Sequence, residues 1–160
     1  MRVAIVFYSK TGITKEIVLK ISNMLKEKGI AVDVFELKPL HDYGGLLYLN
    51  PRLIYETLIR KSTEITVIPY EPKLENYDIL ILASPIWCET ITPPIREFIR
   101  RHKFPGKKTI CITTSMFPLK YSKKLKKIAE KYGKYKVIYH VNISKGKPYE
   151  KILSDITQAI

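Results

Sequence analysis

Unbroken apolar runs alternate with amphipathic segments along most of the chain. Runs rich in Val, Ile and Leu predict five strands, at residues 3–8, 31–37, 79–83, 109–114 and 136–143. Apolar runs without alternating polar positions are typical of parallel strands whose sheet is covered on both faces. The pattern therefore predicts a parallel sheet.

Helices are predicted between the strands. The first has Ile17, Val18, Ile21 and Leu25 on one face and is expected to end before Gly29. Alternation of strands and helices produces right-handed crossovers and a doubly wound α/β sheet. A chain of 160 residues without internal repeats predicts one domain over residues 1–160.

Residues 39–78 are too long for one helix and its turns. They contain a helical stretch near 51–61, followed by a run at 63–69 for which no helix or strand is predicted. The apolar cluster at residues 46–49 has three open interpretations: a flap over the site described next, a dimer contact, or packing on the sheet face.

A hydroxyl-rich turn joins the first predicted strand to the first helix. Its residues are Ser9, Lys10, Thr11, Gly12, Ile13 and Thr14. The amino terminus of a helix favours an anion, because its backbone N–H groups lack partners and the helix dipole is positive there. The three hydroxyls can donate to phosphate oxygens, and the glycine lets the backbone turn closely. The turn predicts a site for one phosphate.

Several classes of phosphate site are excluded. Neither G-x-x-x-x-G-K-[ST] nor G-x-G-x-x-G fits, because Gly12 is the only glycine before Gly29. The cysteines, Cys88 and Cys111, do not lie in this turn, so it is not a phosphatase loop. The third strand ends without a phospho-accepting aspartate. A phosphomonoester that is bound and not cleaved remains.

The turn resembles the phosphate loop of the flavodoxin family, whose pattern is [TS]-x-[TS]-G-x-T and which holds the phosphate of FMN. Residues 9–14 fit every defined position. An ordinary capped turn is the alternative. The resemblance implies FMN as cofactor and a flavodoxin-like five-stranded parallel sheet of order 2-1-3-4-5 with helices on both faces. In that order the site lies at the carboxyl ends of strands one, three and four.

The loop after the third strand resembles the flavodoxin loop that lies against the flavin ring, in the form S-P-x-W followed by a proline pair. It implies the cofactor-binding candidates Ser84, Pro85, Ile86, Trp87, Cys88 and Glu89. The chain's only tryptophan is expected to stack on the isoalloxazine ring, since an indole is a large flat face. The alternative is that this tryptophan closes the top of the core.

The loop after the fourth strand supplies the last candidates, Thr114, Ser115, Met116 and Phe117. Flavodoxins place a polar, often glycine-containing loop here, and this chain has no glycine in it. The two hydroxyls are expected to hydrogen-bond the flavin edge. The two apolar residues either cover the ring or pack against the protein.

The net charge of +13 departs from the family pattern. Flavodoxins are usually acidic, whereas one predicted helix here carries Lys120, Lys123, Lys124, Lys126, Lys127 and Lys131. A solvated helix face is the simple explanation. We interpret the surplus of positive charge as a means of attracting an acidic redox partner or an anionic surface. Abundant lysine and a single glutamine also suggest a hot habitat.

The sequence also allows expectations about the location of the protein, its cysteines and metal binding. The apolar runs are too short for a signal peptide or a membrane span, which predicts a cytoplasmic protein. The two cysteines are expected to be free thiols. The three histidines show no metal-ligand spacing.

Three functions are compatible with the sequence. The first is an FMN-holding electron carrier. The second is an FMN-dependent NAD(P)H oxidoreductase that reduces quinones, flavins or other acceptors. The third is a basic module that contacts nucleic acid without a flavin, which would explain none of the three loops. We rank the carrier first and expect no catalytic side chain.

Overall fold

The computed structural model describes residues 1–41, 51, 54, 55, 59, 63–144 and 150–160. The strands are β1 (Arg2–Phe7), β2 (Ala31–Pro39), β3 (Ile65–Ile68), β4 (Ile79–Trp87), β5 (Thr90–Ile91), β6 (Lys108–Ser115) and β7 (Lys136–Ser144). The helices are α1 (Ile13–Glu27), α2 (Pro93–Arg101), α3 (Ser122–Ile128) and α4 (Glu150–Gln158), with short helical turns at Leu74–Asn76 and Ala129–Gly133.

The sheet has the order β3-β2-β1-β4-β6-β7, with β5 paired to β4 alone. Strands β2, β1, β4, β6 and β7 are mutually parallel neighbours. They correspond to the five predicted strands in the predicted order 2-1-3-4-5. The doubly wound flavodoxin-like α/β class is therefore confirmed.

Two strands were not predicted. Strand β3 lies antiparallel to β2 at the edge of the sheet and comes from the run at 63–69. Its residues alternate, with Ile65 and Val67 buried and Thr66 and Ile68 exposed, as expected for a strand covered on one face. Strand β5 is only two residues long and pairs antiparallel with the end of β4. The prediction of five strands was too low for these reasons.

Helices cover both faces of the sheet. On one face, Val3, Ile5 and Phe7 of β1 pack with α1 and α4. On the other, Ala4 and Val6 pack with α2 and α3. Alternate residues of one strand therefore serve two cores, which explains why the strands are apolar throughout.

Some predictions lie outside the described residues. The cluster at 46–49 is one of them, and most of the helical stretch near 51–61 is another. Among the helices that are described, none is long and apolar enough to cross a membrane.

Candidate functional site

Helix α1 begins without a side-chain cap, although hydroxyl residues precede it. Its N-cap is Gly12, which has a left-handed φ of 88°. The helical hydrogen bonds start with Glu16 N–H donating to the Gly12 carbonyl, 2.9 Å. Within the described residues, no acceptor is recorded for the N–H groups of Ile13, Thr14 and Lys15. Three backbone donors thus remain for a ligand.

The hydroxyl of Ser9 supports the same conclusion. Its Oγ is buried and has no hydrogen-bond partner within the described structure. A buried hydroxyl without a partner costs about 1–3 kcal/mol, so such groups in native proteins need an explanation. A phosphate oxygen would supply the missing acceptor. The turn therefore fits the phosphate of FMN.

Thr14 connects the phosphate turn to the third loop. Its side chain is only 2% exposed, and its Oγ1 lies 2.8 Å from Oγ1 of Thr114. Thr114 was predicted to contact the flavin edge, but its hydroxyl is buried against Thr14. When Thr114 donates to Thr14, the Thr14 proton is left for a phosphate oxygen, because a hydroxyl both accepts and donates.

Lys15, in the first turn of α1, is held by a neighbouring strand. Its Nζ lies 2.9 Å from Glu36, which also binds Lys38 at 2.5 Å. Burial would raise the pKa of Glu36, but hydrogen bonds and charges from Lys38 and Lys15 outweigh it, and the pKa is lowered. One carboxylate is thus shared by the charges of Lys15 and Lys38.

The second loop differs most from its prediction. Strand β4 continues through Trp87, which is 5% exposed and packs in the core against Tyr8, with the ring planes 82° apart and the centroids 5.3 Å apart. This burial agrees with the alternative interpretation, in which Trp87 closes the top of the core, and its stacking on a flavin stays a prediction. Ser84 is fully buried and its hydroxyl donates to the Pro85 carbonyl at 2.8 Å, so its contact with a cofactor stays a prediction.

A tight hairpin replaces the expected open loop. Cys88 and Glu89 form its two-residue turn, with φ of 44° and 58°, between the paired residues Trp87 and Thr90. This is the type I′ geometry, which normally selects Asn-Gly because both central residues have positive φ. Lys124 of α3 donates to the Glu89 carbonyl at 2.5 Å and Arg96 of α2 donates to Thr90 at 2.5 Å. Two helices hold the hairpin in place.

The remaining residues of the hairpin differ in exposure. Pro85 and Ile86 are half-buried, whereas Cys88 and Glu89 are exposed. Both cysteines are free, as predicted. Burial raises the pKa of the Cys111 thiol, so that thiol is unreactive inside β6.

The third loop is fixed by a residue that sequence reasoning missed. Asn142 of β7 accepts from Thr113 at 2.7 Å and donates to Ser115 at 2.9 Å. Ser115 also donates to the Phe117 carbonyl at 2.6 Å. Met116 and Phe117 are 63% and 64% exposed at the end of this braced segment. They offer apolar surface at the edge of the sheet that carries the phosphate turn.

The structure thus brings parts of all three loops to one edge of the sheet. The Thr14–Thr114 contact joins the first and third loops, and the Lys124–Glu89 contact joins α3 to the second. Thr90, Arg96 and Asn142 were not predicted. Only Asn142 left a sequence signal, as an amide inside an apolar strand.

A comparison with known protein families identifies the family of the chain. A family model described as NADPH-dependent FMN reductase matches residues 1–130. The chain belongs to the NADPH-dependent FMN reductase family. Membership confirms the flavodoxin-like resemblance on which the predicted cofactor, FMN, was based. No curated protein matches the chain.

Solved structures share the fold of this family member. A Lactobacillus acidophilus flavoprotein in complex with FMN has a TM-score of 0.74 at 20% identity, covering 88% of this chain and 92% of its own. A Streptococcus pneumoniae flavodoxin has a TM-score of 0.60 at 17% identity, and the match covers 99% of this chain and 94% of the flavodoxin. Flavodoxin 1 of Bacillus cereus has a TM-score of 0.56 at 15% identity, and the match covers 99% of this chain and 93% of that flavodoxin. At these identities the likeness shows the fold alone.

Proposed function

We propose that this member of the NADPH-dependent FMN reductase family is an FMN-binding flavoprotein that serves as an electron carrier. The observation that carries the proposal is the uncapped start of α1 beside the buried, unsatisfied Ser9 hydroxyl. A single phosphate satisfies both features. FMN supplies the redox chemistry when bound, and the protein supplies its position and electrostatic environment.

Each part of the site has a defined task in this proposal. The N–H groups at the start of α1 and the hydroxyls of Ser9, Thr11 and Thr14 bind the phosphate. Thr114 is a positioning residue, because it orients the Thr14 hydroxyl at 2.8 Å. Met116 and Phe117 cover the ring end in the place first assigned to the tryptophan, since theirs are the large apolar side chains exposed on the third loop.

An FMN-dependent NAD(P)H oxidoreductase is the second candidate, and the family description favours it. In that case a nicotinamide must reach the same ring end. Two features support the carrier: the sequence has no G-x-G-x-x-G turn, and the surplus of 28 Lys and Arg over 15 Asp and Glu suits docking of a protein. The acidic partner, homodimer, cytoplasmic location and hot habitat stay predictions.

An anaerobic reduction experiment separates the two candidates. The FMN-loaded protein is mixed with excess NADPH, NADH or a reduced ferredoxin, and flavin absorbance is followed. A carrier takes electrons quickly from the ferredoxin and negligibly from either nicotinamide. Fast, saturable reduction by NADPH together with quinone turnover would establish the oxidoreductase instead.

A further inference from the structure

One surface of the molecule concentrates positive charge beside the candidate site. Residues 116–134 contain seven lysines and a single acid, Glu130. We define the basic face by five of the six exposed lysines of this segment, Lys120, Lys123, Lys124, Lys127 and Lys131. Each of these lysines has another of the five three or four residues away, which places them on one side of α3 and of the helical turn Ala129–Gly133 that follows it.

The charge of this face is hardly neutralised by the protein itself. In the part of the chain that the structure describes, the ion pair recorded for these seven lysines is Lys126–Glu130, at 3.8 Å. The imidazole of His140 lies beneath the face, 3.1 Å from Ser122. Burial first, and then Lys126 and Lys123, lower the pKa of His140, as a positive local field would.

The basic face adjoins the ring end of the site. Lys124 donates to the Glu89 carbonyl in the β4–β5 turn, and Lys120 directly follows the loop that exposes Met116, Phe117 and Leu119. An apolar patch with a charged rim has the composition of a protein–protein interface.

We propose that the basic face and this apolar patch form the docking surface for an acidic electron-transfer protein. The inference rests on the proposed function and adds the location and chemistry of the partner. Charge complementarity selects the acidic partner and would steer its encounter with the flavin edge. An anionic membrane fits less well, because Leu125 of α3 and Ala129 of the helical turn that follows it pack in the core, whereas an interfacial helix exposes its apolar side. Nucleic acid binding through phosphates would not require the apolar patch.

Two triple variants with equal charge change test the proposal. K120E/K123E/K127E reverses the basic face, and K103E/K108E/K136E reverses exposed lysines elsewhere, two of them at the amino ends of β6 and β7. Binding to an acidic plant-type ferredoxin is measured by calorimetry at about 0.1 M and about 1 M salt, where the screening length falls from about 10 Å to about 3 Å. The measurement uses protein with and without FMN.

The wild type is expected to bind at least about tenfold more weakly at the higher salt. At low salt, the affinity of K120E/K123E/K127E for the ferredoxin should be at least about tenfold weaker than that of the wild type. The affinity of the control, K103E/K108E/K136E, should fall much less. Equal losses in the two variants, no salt-sensitive binding by the wild type, or tighter binding of phosphatidylserine vesicles or duplex DNA through the same lysines would overturn the proposal. Ferredoxin binding without FMN binding would refute the proposed function and leave the docking surface standing.

Discussion

Replacing Thr14 with valine tests the buried contact that joins the two ends of the site. Thr14→Val keeps the shape of the side chain but leaves the Thr114 hydroxyl, 5% exposed, without the partner that lies 2.8 Å away. A buried hydroxyl left unpaired costs about 1–3 kcal/mol of the free energy of unfolding. For a chain of 160 residues this lowers the melting temperature by about 2–4 °C per kcal/mol.

The same substitution should also weaken FMN binding. A hydrogen bond to a charged group contributes about 1.5–3 kcal/mol, which corresponds to about a 10- to 150-fold weaker affinity. The double variant T14V/T114V separates the two effects. Because both partners become apolar, it should regain most of the lost stability in urea unfolding of the apoprotein while FMN binding stays weak.

Flavin fluorescence quenching measures the affinity and urea unfolding measures the stability. A Thr14→Val protein that unfolds at the same urea concentration as the wild type and binds FMN equally tightly would refute both the buried contact and the phosphate role of Thr14. A double variant that recovers FMN affinity together with stability would show that the threonine pair only supports the fold.

The remaining predictions concern the turn glycine, the hairpin and acid stability. Gly12→Ala and Gly106→Ala both force alanine into a positive φ, 88° and 77°, in open space, so each should cost about 1–2 kcal/mol of stability. Only Gly12→Ala should weaken FMN binding, and a similar loss in Gly106→Ala would argue against a local effect. Replacing Cys88 by Asn and Glu89 by Gly should raise stability in urea by about 1–3 kcal/mol, since both positions have positive φ; unchanged stability would mean that the turn is not strained. The lowered pKa of Glu36 means that its stabilising contribution is complete above the usual value of 4.5 and is lost as the pH falls through the lowered pKa. Glu36→Gln should therefore flatten the pH dependence of unfolding below 4.5, and parallel curves for the two proteins would contradict this.

The sequence predicted what depends on local order along the chain. The phosphate turn is read from a strand, a hydroxyl-rich turn and a helix in succession, and the five parallel strands are continuous apolar runs. Strand β3 was not predicted, because four alternating residues are too short a pattern to distinguish from a loop. The segment becomes a strand only by pairing with β2.

Trp87 shows why the ring end was harder to predict. Its burial depends on β4 turning back through Cys88 and Glu89, and these two residues are not the glycine or asparagine that usually mark such a hairpin. The brace of Asn142 on the third loop joins residues 27 positions apart, so no local pattern contains it. Predictions were thus sound where the backbone makes the site and weaker where side chains from distant strands make it.

The central claim is that the start of α1 binds the phosphate of FMN, and a comparison of FMN with riboflavin tests it most directly. Both ligands carry the same ring, so the ratio of their dissociation constants, measured by fluorescence quenching of one protein preparation, isolates the phosphate contacts. Two hydrogen bonds to the phosphate at about 1.5 kcal/mol each already predict FMN binding at least about a hundredfold tighter. Equal affinity for FMN and riboflavin would contradict the assignment of the phosphate site.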